Sequence, residues 1–157
     1  MRVPPLGVTP DCRTCELIDR RDRGEAPLWD QILRTPAWDL VHAFGTAVPG
    51  WLVLVVRRHI TSVADLTDDE AAELGPLIRS ASRALSDVVG CPKTYVVQFA
   101  ESAEHPHVHV HIIPRPDNLA PEHRGPGVFS LLGVAEDDAV PKPEMDRIAE
   151  QVRTLLA

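Results

Sequence analysis

This chain predicts an α+β fold built on an antiparallel sheet, and three features carry the prediction. Apolar runs of strand length flank one long helical segment, and a second helical segment closes the chain. The links between strands are short, which suits antiparallel pairing. At 157 residues the chain corresponds to about one domain, enough to build a hydrophobic core without disulfide staples.

Residues 1–11 read as an N-terminal arm. A short helix is expected over 12–22, with Asp11 as its N-cap. Leu28 to Thr35 is ambiguous. Trp38 to Ala43 reads as a strand, Pro49-Gly50 as a turn, and Trp51 to Val56 as a continuous apolar run of the kind a strand buried on both faces shows. Thr67-Asp68-Asp69-Glu70 is a capping box. Behind it Ala71, Leu74, Ile78, Ala81, Leu85 and Val88 recur at steps of three and four, which marks one buried helical face. Pro76 lies inside this helix and should kink it or loosen a turn, and Val89-Gly90-Cys91-Pro92 ends it. Tyr95 to Phe99 and Val108 to Ile113 read as the next two strands. Periodicity is lost from Pro114 through Gly127. A final helix starts near Pro143, with Met145, Ile148, Val152 and Leu155 on one face.

The most specific signal lies in the last strand. His105, His107, His109 and His111 alternate with Pro106, Val108 and Val110. A strand sends successive side chains to opposite faces, so four imidazoles about 6.7 Å apart would line one face while the valines anchor the other. Imidazole is a general base, a nucleophile and a common metal ligand. Four on one face would depress one another's pKa values for no structural return. The spacing by itself does not separate covalent catalysis from metal binding.

A net charge of −7 argues against a partner recognised through its polyanionic backbone, and no apolar run reaches transmembrane length. Met1 to Pro10 contains no hydrophobic signal core, so a cytoplasmic location with reduced thiols is expected. Cys12-x-x-Cys15 then reads as a redox pair, half a zinc site or a coincidence, and Cys91 as a small buried or turn residue.

His107-Val-His-Val-His111-Ile-Ile, with Pro114-Arg115 behind it, resembles the signature of the histidine triad (HIT) superfamily. The strand from Trp51 that ends in Arg57-Arg58-His59, and the capped helix after Leu66, resemble further parts of that family in the same order. The resemblance covers Cys12 to Pro116. It implies a HIT-like domain over 12–116 with a five-stranded antiparallel sheet, usually homodimeric, and nucleotidyl hydrolase or transferase chemistry on a nucleotide substrate. Residues 117–157 are expected to form a Pro/Gly-rich loop and a C-terminal helix packed on the same domain. By the resemblance His109 attacks phosphorus, His111 stabilises the phosphoryl oxygens, and Gln98 supplies an amide toward the phosphate. The chain departs from the family pattern at Ala43, where many members carry a ribose-binding acid. It departs again in the loop 100–106, which is about two residues short by alignment to that pattern. Glu104 and the additional His105 are the candidates to replace the lost substrate contacts.

Some members of the superfamily hold a structural zinc. The resemblance assigns the ligands here to Cys12, Cys15, His59 and His107, a closed Cys2His2 set that leaves His109 free. Two other classes of function remain. One is a metal-dependent hydrolase using the histidine ladder directly, although the Asp of a His-x-His-x-Asp-His site is missing. The other is a nucleotide-binding protein of this fold without turnover.

Overall fold

The computed structural model describes residues 11–157, so the expected N-terminal arm lies, apart from Asp11, outside the described residues. Helix α1 spans Arg13–Asp22. Its N-cap is Cys12 rather than Asp11, and the Cys12 sulfur accepts the Cys15 backbone N–H at 3.3 Å. The ambiguous stretch after it resolves into a 3-10 turn, Leu28–Asp30, and a two-residue strand β1, Leu33–Arg34. Strands β2 (Trp38–His42) and β3 (Leu52–Val56) follow as an antiparallel pair.

Helix α2 runs over Asp68–Val89. Both halves of its capping box form, and Gly90 ends it in the left-handed conformation that costs glycine least. The helix continues through Pro76 without a break. Pro76 is on the exposed face, where water can take the carbonyl that proline leaves unpaired. Ala71, expected in the buried face, is also exposed, so that face begins at Leu74.

Strands β4 (Lys93–Gln98) and β5 (His109–Arg115) complete, among the described residues, a five-stranded antiparallel sheet of order β1-β2-β3-β5-β4. After a run of 3-10 turns between Pro121 and Asp138, helix α3 covers Lys142–Leu156. One face of the sheet packs Trp38, Leu40, Leu54, Val110 and Ile112 against Ala81 and Leu85 of α2 and Ile148 of α3. Leu155, expected on the packed face of α3, is half exposed instead.

The other face carries Val41, Val53, Val55 and Ile113 and is covered by α1 and the segment around Val128 and Phe129. A buried ion network fastens α1 to it. Arg21 donates from Nε to Asp39 at 2.9 Å and from Nη1 to Asp30 at 3.0 Å, and all three side chains are almost fully buried. Removing one partner would leave a buried charge unpaired, which costs about 3–5 kcal/mol. The network therefore pins the C-terminal turn of α1 to the sheet, at the opposite end of the helix from both cysteines.

Candidate active site and metal centre

The histidine ladder is not a continuous strand. Pro106 has no N–H to give a ladder, and the His107 N–H donates to the His105 carbonyl at 2.8 Å, so the chain bends there. The ladder begins only at His109, which faces Val55. This corrects the expectation that four imidazoles share one face. His105, His109 and His111 line a cavity of about 510 Å³ over the α1 side of the sheet. His107 is turned away and wholly buried.

There His107 meets Cys12, Cys15 and His59, whose candidate ligand atoms all lie within 4.8 Å of one another. The two Nδ1 atoms are 3.2 Å apart. Cys15 Sγ lies 3.3 Å from His59 Nδ1 and 3.6 Å from His107 Nδ1, and Cys12 Sγ lies 3.7 Å from His107 Nδ1. Tetrahedral zinc bonds imply edges of about 3.3 Å between nitrogens and about 3.6 Å between sulfur and nitrogen, so the donor set fits such an ion. His107 Nε2–H donates to the Val56 carbonyl at 2.5 Å. That fixes the tautomer, leaves Nδ1 as the ligating atom, and supplies the outer-sphere bond that ligating histidines commonly have. The four residues expected to hold a metal are therefore together, in a site closed to further ligands.

The two remaining ladder histidines are held in opposite tautomers. His109 Nδ1–H donates to the His107 carbonyl at 2.6 Å, so its Nε2 keeps a free lone pair. His111 Nδ1 accepts the indole N–H of Trp51 at 3.0 Å, so its proton must sit on Nε2. One ring offers an electron pair and its neighbour, 5.0 Å away between centroids, offers a donor. Burial lowers the pKa of both, that of His111 to about 3, which keeps both neutral near pH 7. Trp51 and Phe129 stand edge-on to the His111 ring at 5.7 and 5.3 Å.

His105 lines the same cavity and its Nδ1 shares a 2.9 Å hydrogen bond with Thr14 on α1. The other expected substrate contacts fall elsewhere. Gln98 pairs with Val110 across β4 and β5 and so belongs to the helix-covered face of the sheet. Its phase matches Thr94, whose hydroxyl meets Ser82 of α2. Glu104 is exposed and contributes a backbone carbonyl to the Arg13 N–H. Ala100, at φ 57°, turns the chain sharply after β4, and Phe99, Glu101 and Ser102 line the cavity instead. Ala43 lines it as well, beside the half-exposed Phe44. Trp51 and Phe129 are functional candidates that sequence reasoning missed: one was read as plain strand apolarity, and the other lies in a stretch without periodicity.

A family model described as HIT domain matches residues 32–118. Among solved structures, a histidine triad protein from Bradyrhizobium japonicum is 26% identical with a TM-score of 0.67, covering 81% of this chain and 90% of its own. A zinc-bound histidine triad family protein from Mycobacterium smegmatis is 15% identical with a TM-score of 0.64, covering 92% of each chain. The diadenosine triphosphate hydrolase of Plasmodium falciparum is 17% identical with a TM-score of 0.59, covering 78% of this chain and 73% of its own. No curated protein sequence matches the chain.

Proposed function

The chain belongs to the HIT domain family, and from that premise we propose that it is a nucleotidyl hydrolase or transferase that works through a covalent intermediate on His109. The observation that carries this reading is the pair of opposed tautomers in one cavity. His109 Nε2 attacks the phosphorus of a nucleoside monophosphoryl group and the leaving group departs. Water then attacks the same phosphorus, breaks the bond to Nε2 and releases the nucleoside monophosphate. One hard displacement becomes two easier ones. The His111 Nε2–H points its donor at the phosphoryl oxygens as charge builds on them, and a neutral ring fixed in advance has nothing to reorganise. His105 is the substrate contact retained from the sequence reading. Ser102 and Glu101 line the cavity where Gln98 and Glu104 do not.

We read the Cys12, Cys15, His59 and His107 cluster as a structural zinc site. The donor distances support zinc, and a structure similar in fold is zinc-bound. The ion would cross-link α1 to the end of β3 and the approach to β5, and so hold the backbone carbonyl on which His109 rests. The protein is further read as a homodimer and residues 12–157 as one folding unit. Among the described residues β4 is an edge strand of the sheet with Val96 half exposed, a liability that pairing with a second copy removes. No helix among the described residues is long and apolar enough to cross a membrane, and a cytoplasmic location accords with reduced cysteines in the zinc site.

The test is to incubate the protein with a panel of nucleoside phosphoramidates, dinucleoside polyphosphates and acyl nucleotides, quench, and look by mass spectrometry for a nucleotidyl adduct on His109. Nucleoside monophosphate release with an adduct on that residue is the expected outcome. Binding without release or adduct would instead favour a nucleotide-binding protein. Light scattering gives the oligomeric state, and a monomer mass at micromolar concentration would contradict the dimer.

A further inference from the structure

The turn that carries Cys12 and Cys15 belongs to two sites. It supplies both sulfurs of the metal cluster, and it forms part of the wall of the His109 cavity. Cys12 caps α1 and Cys15 lies in the first turn, with the Cys12 sulfur accepting the Cys15 N–H at 3.3 Å. Thr14, between the two cysteines, lines the cavity and shares the 2.9 Å hydrogen bond with His105. The N–H of Arg13, also between them, donates to the Glu104 carbonyl at 2.8 Å. His107, which both sulfurs approach, lends its carbonyl to the His109 Nδ1–H. The state of the two sulfurs therefore reaches the segment 104–109 at Glu104, at His105 and at His107.

The sulfurs are also placed to bond to each other. They lie within 4.8 Å, on residues three apart in one helical turn. Helical Cα atoms at that spacing are about 5 Å apart, within the range of roughly 4.4–6.8 Å that a disulfide spans, so the bond can form without unfolding α1. The third cysteine, Cys91, packs in the core between the sheet and α2 and α3. Both site cysteines are buried, but Cys15 lines a second cleft of about 540 Å³ between α1, Pro36-Ala37 and Arg57-Arg58, which brings an oxidant the size of a hydroperoxide to its side. Metal ligation requires the thiolate form, and the thiolate is the form that attacks peroxide.

We propose that Cys12 and Cys15 are an oxidation site for hydroperoxides, and that their disulfide dismantles the metal site and uncouples α1 from the segment 104–109. This rests on the zinc reading above and is independent of the chemistry at His109. In the first step the Cys15 thiolate attacks a peroxide oxygen. The S–O bond forms, the O–O bond breaks, and the departing hydroxide takes a proton from solvent to give water and a sulfenic acid. In the second step the Cys12 thiolate attacks the Cys15 sulfur. The S–S bond forms, the S–O bond breaks, and hydroxide again leaves as water after taking a proton. The two sulfurs lose two electrons and the peroxide gains them. His59 and His107 are then half of a four-ligand set, too few to retain a structural zinc.

The test treats the full chain, metal-loaded, with a small excess of hydrogen peroxide. A chromogenic chelator reads released zinc, and mass spectrometry reads the cysteines. Trypsin cuts after Arg13, so a Cys12–Cys15 bond joins two peptides into one. Loss of about one zinc per chain together with that joined peptide is expected, with Cys91 still a thiol. Dithiothreitol and added zinc should restore the starting state, and Cys91→Ser should respond as wild type does. The nitrogen-15 shifts of His105 and His109 should move on oxidation, while those of His42, bonded to Ala43 and Gly50, stay in place. Zinc retained in peroxide, or sulfinic and sulfonic acids in place of the joined peptide, overturns the proposal while the zinc site stands. A joined peptide with unmoved His105 and His109 shifts also overturns it, because the sulfurs would then not reach the cavity. Untreated protein without metal overturns both readings.

Discussion

Trp51→Phe tests the role of the His111 tautomer. Trp51 is wholly buried and its indole N–H donates to His111 Nδ1 at 3.0 Å. Phenylalanine keeps the aromatic contact with Phe129, now 5.5 Å away between centroids, but removes the donor. His111 Nδ1 is then a buried acceptor without a partner, a state that costs about 1–3 kcal/mol. The ring can escape that cost by moving its proton from Nε2 to Nδ1. Doing so points a lone pair, not a donor, at the phosphoryl oxygens. If the whole of that energy is lost from the transition state, kcat falls roughly 5- to 150-fold, at 1.36 kcal/mol per factor of ten. KM should change less, because the donor matters most when charge develops on oxygen. Steady-state kinetics on a turned-over nucleotide gives the rate. Nitrogen-15 chemical shifts of His111 report which ring nitrogen carries the proton, a readout that a packing defect alone would leave in place. Thermal melting should show a separate loss of about 1–3 kcal/mol from the smaller ring. Wild-type kcat together with unshifted His111 nitrogens would refute the reasoning.

Three further outcomes follow from the same geometry. His109→Ala should lower turnover by on the order of 10³-fold or more, about 4 kcal/mol, with bound metal and melting temperature nearly unchanged; rates, elemental analysis and melting curves check all three, and near wild-type activity would remove the covalent mechanism. Cys12→Ser or Cys15→Ser should lower zinc content from about one per chain and reduce thermal stability together, and protein purified without chelators that contains no transition metal would contradict the zinc assignment. His42 is a buried core histidine whose Nδ1–H donates to the Ala43 carbonyl at 2.6 Å while Nε2 accepts the Gly50 N–H at 3.0 Å, and burial lowers its pKa to about 4. Between about pH 4 and 6.5 the unfolded chain holds a proton at this site that the folded chain does not, so stability is complete above that window and falls as the pH drops through it, by up to about 3 kcal/mol. Urea melts of wild type and His42→Gln across that range should differ in slope by about one proton, and parallel profiles would refute the assignment.

The sheet and both long helices were legible because their signals are local. Strand-length apolar runs, a capping box with Glu70 three residues after Thr67, and the apolar steps from Leu74 to Leu85 need no knowledge of distant neighbours. The errors arose where a residue's fate depends on its partner. Asp11 was a fair N-cap by residue type, but Cys12 took the position as its sulfur turned toward His107. By the resemblance Gln98 sends its amide toward the phosphate. Pairing with Val110 sends it to the helix side, and that phase is set by the β5 register rather than by β4 itself.

The sequence by itself determined the fold class and the alternation of four imidazoles with apolar residues, which follow from residue type and from spacing along the chain. The roles expected of His109 and of the Cys12, Cys15, His59 and His107 set came from the resemblance to the histidine triad superfamily. Only the tertiary structure decided which nitrogen of each ring is free, that His107 leaves the ladder while His105 stays in the cavity, and that Trp51, Phe129 and Glu101 surround the reactive pair. Tautomer, ring direction and cavity charge are set by hydrogen bonds and contacts between segments far apart in sequence, and no local pattern encodes a bond such as that from Trp51 to His111, sixty residues on.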